Sequence, residues 1–181
     1  MMELWIDKIP SAIGTILLVV EGQHLCALDY ADYEQRMTEL LKPRYGDFCL
    51  KKSRDPCGFS SRTRAYLHGE YQALDEIPIS TGGTPFQQCV WATLRTIPPG
   101  IVMTYGEMAA KLGKPSAFRA VGAANALNPI ALVIPCHRLV GANGSLTGYA
   151  GGLERKRWLL EHEGVEVIGD ASKGKASVER L

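Results

Sequence analysis

Apolar positions along this chain change their rhythm near residue 80. From Ile13 to Asp29, β-branched and other apolar residues run on both sides of a turn at Glu21-Gly22-Gln23, as in a hairpin of buried strands. From Asp32 to Leu41 the spacing lengthens to that of a helix, with Tyr33, Met37, Leu40 and Leu41 on one side and Pro43 expected to close it. The mixed stretch Cys49–Phe59 predicts no element, Ser60–Leu67 predicts a short helix, and Ile77-Pro78-Ile79-Ser80-Thr81-Gly82-Gly83 reads as a connector. Beyond it, Thr84-Pro85-Phe86-Gln87 combines an N-cap, an N1 proline and a capping-box glutamine ahead of Val90, Trp91, Leu94 and Ile97, with Pro98-Pro99-Gly100 as the stop. Thr104-Tyr105-Gly106-Glu107 repeats that grammar and opens a helix through Leu112, ended by Gly113. Pro115-Ser116 then leads into Ala117–Leu127, stopped by Asn128-Pro129, so two short helices flank a Gly-Lys-Pro turn as in a helix-turn-helix. A last helix spans Gly152–His162, with Leu153, Trp158, Leu159 and Leu160 inward, Arg155, Lys156 and Arg157 largely outward, and Glu163-Gly164 at its end.

This pattern predicts an α+β protein. A small N-terminal α+β module, hairpin or sheet plus helix, occupies residues 1–80, and a mostly helical C-terminal domain with the helix-turn-helix occupies 81–169. The small, polar residues of 170–181 read as a flexible tail. A length of 181 residues accommodates two modest cores. No run of about 18 apolar residues appears, and Met1-Met2-Glu3-Leu4-Trp5-Ile6-Asp7 lacks a basic n-region and a cleavage site. The expectation is therefore a cytoplasmic protein without a membrane partner. Five cysteines with no CxxC pair argue against a disulfide framework, although pairing of Cys26 with Cys49 or Cys57 stays open. Net charge is only +1, yet between Pro85 and Arg157 eight basic side chains face just Glu107 and Glu154. That local excess of +6 suits a polyanion, or is a plain surface bias.

Candidate chemistry concentrates at Ile134-Pro135-Cys136-His137-Arg138. A thiol reacts as thiolate, and neighbouring imidazole and guanidinium groups favour that form. The alternative is a structural cysteine followed by a surface histidine. Cys89 falls in an apolar periodic segment where packing is its expected role. The helix from Phe118 to Ala126 carries one cation, Arg119, among glycine and alanines. Such a smooth surface fits close approach to a minor groove or to another helix, and it lacks the several Arg, Asn or Gln residues that a reader of base edges needs. Gly141–Gly144 and Thr147–Gly152 form glycine-rich loops without phosphate-cradling spacing.

The strings TPFQQCVW (84–91), FRAVGAANALNP (118–129), PCHRL (135–139), TGYAGG (147–152) and RKRWLLEHEG (155–164) together resemble O6-alkylguanine-DNA alkyltransferases, above all their bacterial Ogt-type form. The resemblance implies single-turnover DNA repair, in which Cys136 takes the alkyl group from O6 of guanine, and from O4 of thymine, in an extruded nucleotide. It also implies that His137 acts on the Cys136 thiol through a water, that Glu163 orients His137, that Tyr105 protonates the leaving base, and that Asn128 braces the turn before the active-site strand. On the DNA side it implies Arg119 as a finger filling the vacated stack, with Tyr105, Ser116, Ala120, Gly122 and Ala126 in the interface. Tyr149, Leu139, Ala150 and Gly151 would wall the pocket, and carbonyls of Cys136 and Leu139 would accept from the guanine amine. The implied partner is double-stranded DNA containing O6-alkylguanine, met by a monomer. No cofactor and no metal are expected, because His24, Cys26 and His68 do not match the zinc spacing of the human-type protein. Three departures stand out: Phe118 where alanine is usual, Leu139 where valine or isoleucine is usual, and Ala126 where glycine is common. Two other readings use parts of the same set. A multi-turnover cysteine hydrolase needs only Cys136, His137 and Glu163, and a helix-turn-helix regulator leaves the cysteine idle.

Overall fold

The computed structural model describes residues 1–179, which form two compact units. The first comprises Met1–Gly82 together with Pro129–Val133, and the second comprises Gly83–Asn128 and the chain from Ile134 onward.

In the first unit, strands β1 (Met2–Ile9), β2 (Ile16–Glu21), β3 (His24–Tyr30) and β4 (Phe48–Lys52) make one sheet in the order β3-β2-β1-β4. The β2–β3 hairpin turns at Gly22 (φ 58°), and β1 pairs antiparallel with β2 and parallel with β4. Strand β1 alternates buried Leu4 and Ile6 with outward Glu3 and Trp5, a period of two that places one face on the core. Helix α1 (Glu34–Tyr45) covers that face with Met37 and Leu41, against Leu4, Ile6, Leu17 and Val19. Pro43 does not close α1 as expected, because a proline in the last turn forfeits a single hydrogen bond. The helix instead ends at Gly46, whose N–H reaches Lys42 O. Arg44 holds this end by donating to Cys26 O at 2.9 Å and Ser80 O at 2.5 Å. Helix α2 (Phe59–Leu67) follows. Late in the chain, Pro129–Val133 returns to this unit, with Leu28 N–H donating to Pro129 O at 3.1 Å and Ala131 N–H to Leu28 O at 3.0 Å.

In the second unit, α3 (Pro85–Leu94) and α4 (Tyr105–Lys111) each start in a complete capping box, at Thr84 with Gln87 and at Thr104 with Glu107. Helix α5 (Phe118–Ala126) is tied to α3 by the Trp91 indole N–H, which donates to Ala124 O at 2.9 Å. The short strands β5 (Met103–Thr104) and β6 (Leu139–Val140) pair in parallel, and α6 (Leu153–His162) packs Leu160 onto a core with Val140 and Leu146.

The segment expected as a tail is regular structure instead. Asp170 caps a 3₁₀ turn at Ala171–Lys173, and β8 (Ser177–Val178) pairs with β7 (Val167–Ile168). Among its described residues the apolar ones, Ala171, Ala176 and Val178, are buried, and Val178 N–H donates to Gly144 O. Arg180 and Leu181 lie outside the described residues.

Candidate active site

Cys136 opens a 3₁₀ turn, Cys136–Arg138, between the buried run that ends at Ile134 and strand β6. Pro135 precedes it and supplies no donor, and the Cys136 N–H turns back to Ile134 O at 2.7 Å. Asn128, at the end of α5, fixes the same bend by donating from Nδ2 to Ile134 O at 2.8 Å. Asn125, one turn earlier, donates to Cys136 O at 3.4 Å. The thiol residue is thus buried and its backbone held from two sides.

The turn sends His137 and Arg138 inward toward the C-cap of α6. His137 Nε2 meets Glu163 Oε2 at 2.9 Å, and Arg138 clasps both oxygens of the same carboxylate at 2.8 and 2.7 Å while donating to Ile97 O. Burial raises the Glu163 pKa, but His137 and Arg138 outweigh it and hold the carboxyl well below its ordinary range. Burial pushes His137 the other way, below the ordinary imidazole value despite Glu163, so the ring is neutral at neutral pH. With Glu163 ionised, the proton belongs on Nε2 and Nδ1 keeps its lone pair. His137 Nδ1 and Asn125 Oδ1 are the buried side-chain polar atoms without a partner among the described residues, and both belong to residues holding or adjoining Cys136. Arg138, read from sequence as a neighbour of the thiol, is committed to Glu163 and Ile97 instead.

Lys156 was expected outside and is fully buried. It stands on the inward stripe of α6, three residues after Leu153 and three and four before Leu159 and Leu160, which is the periodic signal that could have located it. Its ammonium donates to Leu139 O at 2.5 Å and Thr147 O at 2.7 Å. Burial lowers its pKa to about 8, and interaction with Cys136 works against that fall. The Tyr105 hydroxyl shares the Thr147 acceptor at 3.0 Å, and burial, with a further push from Cys136, raises its pKa. Gly148 adopts φ 56° and lies so near that a Cβ there would stand 3.3 Å from the Tyr105 oxygen. Tyr149, Leu139 and Gly151 are buried beside this loop and Ala150 is half-buried. The carbonyls of Cys136 and Leu139 already accept from Asn125 and Lys156.

Helix α5 has two faces. Val121, Ala124, Asn125 and Asn128 point inward, whereas Arg119, Ala120, Ala123 and Ala126 are exposed, as is Ser116 just before the helix. Gly122 is half-buried, with Tyr105 ring atoms 3.9 Å from where a Cβ would sit. Phe118 stays outside the core. None of the five cysteines is in a disulfide, and Cys89, expected to pack, is exposed because it sits opposite Val90 and Trp91 on α3. Among the described residues no group of three His, Cys, Asp or Glu side chains could hold a metal, and no helix is long and apolar enough to cross a membrane.

Comparison with known proteins gives this site its context. Residues 85–165 match the 6-O-methylguanine DNA methyltransferase DNA-binding domain. A methylated-DNA–protein-cysteine methyltransferase of Shigella flexneri is 47% identical over 167 residues, 91% of this chain and 98% of that protein. The chain belongs to the methylated-DNA–protein-cysteine methyltransferase family. The crystal structure of the Mycobacterium tuberculosis O6-methylguanine methyltransferase superposes with a TM-score of 0.75 at 38% identity, covering 94% of this chain and 98% of that one. The Mycobacterium tuberculosis OGT in complex with DNA gives 0.74 at 38% identity, covering 90% and 92%. Both the α+β architecture and the membership of the family therefore rest on nearly the whole chain.

Proposed function

We propose that this methyltransferase repairs double-stranded DNA in the cytoplasm as a monomer, moving the alkyl group of O6-alkylguanine, and of O4-alkylthymine, onto Cys136 once per molecule. The observation that carries the assignment of residues is the buried Cys136 beside a neutral imidazole whose far nitrogen is tied to an ionised carboxylate. His137 Nδ1 takes the thiol proton through a water, and Glu163 with Arg138 steadies the imidazolium that results. The thiolate sulfur then forms a bond to the alkyl carbon as the bond from that carbon to O6 breaks. The electron pair stays on the leaving base, which receives the Tyr105 hydroxyl proton; the tyrosinate is reprotonated from the imidazolium through solvent, so protons balance. A raised Tyr105 pKa keeps that hydroxyl protonated until the base needs it. Lys156 acts through others: its cation favours the nearby thiolate, and its two hydrogen bonds join β6 to the Thr147 loop that bears on Tyr105.

DNA meets the exposed face of α5. Arg119, on its first turn, occupies the gap left when the damaged nucleotide is turned out into the Cys136 pocket. Ser116, Ala120 and Ala126 allow the minor groove to come close, and Gly122 gives room for the Tyr105 ring. Tyr149, Ala150, Gly151 and Leu139 line the pocket.

Incubation with methylated DNA followed by intact and peptide mass measurement tests this reading. One added methyl per protein, located on Cys136 and absent from Cys136→Ser, is the expected result. A methyl on Cys26, Cys49, Cys57 or Cys89 overturns the assignment of the acceptor, and repeated turnover overturns single-use transfer.

A further inference from the structure

The outer face of α5 has little relief, since Ala120, Ala123 and Ala126 make most of it. Its first residue breaks that pattern. Phe118 is 48% exposed, and the Arg119 guanidinium carbon lies 5.9 Å from the centre of its ring. Helical spacing sets Phe118 one turn before Gly122 on the same flank, and Gly122 is where the Tyr105 ring rests. Long side chains on a helix lean toward its N-terminus, so the Phe118 ring projects past the start of α5 beside Arg119 and leaves the alanine surface uncovered. No hydrogen bond, ion pair or core cluster of the described residues requires an aromatic side chain there.

We propose that Phe118 is a second wedge beside Arg119, stacking its ring on the base pair uncovered when the damaged nucleotide leaves the helix. The proposal rests on reading α5 as the DNA-facing helix and Arg119 as the finger. Extrusion opens an apolar base face to water, which a guanidinium fills with donors and covers incompletely. An aromatic ring on the same turn covers that face. Stacking of this kind tolerates any neighbouring sequence, in keeping with a helix that carries almost no groups able to read base edges. The Arg119 guanidinium lies within cation–π range of the Phe118 ring, so the two side chains stand side by side at the start of α5.

Single-turnover transfer rates on duplex O6-methylguanine and on free O6-benzylguanine separate the possibilities when taken as a ratio. Phe118→Ala should lower the duplex-to-free ratio by about 5- to 150-fold, the range expected for one stacked base. Phe118→Trp should restore it. In the double variant with Arg119→Ala, the combined loss should be smaller than the product of the two single losses, because both side chains act on the same extruded state. A Phe118→Ala ratio equal to wild type overturns the wedge, as does an equal loss on both substrates. An Arg119→Ala ratio equal to wild type instead overturns the finger reading, so the two failures are distinguishable. 2-Aminopurine placed beside the lesion gives an independent readout: Phe118→Ala should brighten its fluorescence in the complex, and unchanged brightness counts against stacking.

Discussion

Lys156 is buried as a consequence of where it stands on α6, and a buried ammonium keeps its proton only while something nearby repays the lost hydration. Two carbonyls and the Cys136 neighbourhood do so in part, leaving the pKa at about 8. The sign of the resulting pH effect is fixed: the cation is complete below that value and is lost as pH rises through it. Transfer to free O6-benzylguanine should therefore fall above about pH 8 in the native protein, whereas Lys156→Met should show no such falling limb. At pH 7 the Met variant should be slower by roughly 10- to 100-fold, the worth of a charged hydrogen bond. A falling limb that survives in Lys156→Met would remove the lysine from this role. The same residue marks a limit of reading the chain alone. Cys136 and His137 stand out by type and motif, and Glu163 only through the family resemblance, but a lysine in an Arg-Lys-Arg run looks solvated until the helical phase is counted. Arg138 misleads in the opposite sense, since adjacency to Cys136 in sequence says nothing of the Glu163 carboxylate that claims it.

Among the elements, those announced by local chemistry were legible. The capping boxes at Thr84 and Thr104, the Gly22 turn and the stop at Asn128-Pro129 all describe interactions within a few residues. Strands β1 and β4 were not, because their identity depends on partners far along the chain: Leu4 alternates visibly with its neighbours, yet only pairing with β2 and β4 makes it a strand. β7 and β8 are two residues each, too short for any period to show. The loop after β6 is a case where conformation and contact coincide. Gly148 has positive φ and approaches Tyr105 closely, so Gly148→Ala should destabilise the protein by about 1 kcal/mol and displace the tyrosine. Thermal unfolding would register the first effect, and slower transfer on both duplex and free-base substrates the second. An unchanged rate would show that Tyr105 does not depend on this loop.

For the molecule as a whole, charge and acid stability give separate tests. The excess of +6 between Pro85 and Arg157 predicts binding to duplex DNA that is indifferent to sequence and weakens linearly in log salt, which titrations at several salt concentrations would measure. A flat salt response would place the phosphate contacts elsewhere. Glu163 has a folded pKa below its unfolded value, so its contribution is fully present above about pH 4.5 and is lost as pH falls below that. Glu163→Gln should cost about 3–5 kcal/mol at pH 7 by leaving Arg138 and His137 without their carboxylate, and the gap to the native protein should narrow in acid. Denaturant titrations at pH 7 and pH 4 would show whether it does. The excursion of Pro129–Val133 into the first unit bears on how the protein is made. Residues 1–82 leave the ribosome long before residue 131, so Leu28 spends that interval without the hydrogen bonds it later exchanges with Pro129 and Ala131. Completion of the sheet unit thus waits on translation of the segment that leads into Cys136, and a nascent chain halted before residue 129 would carry an unfinished first unit.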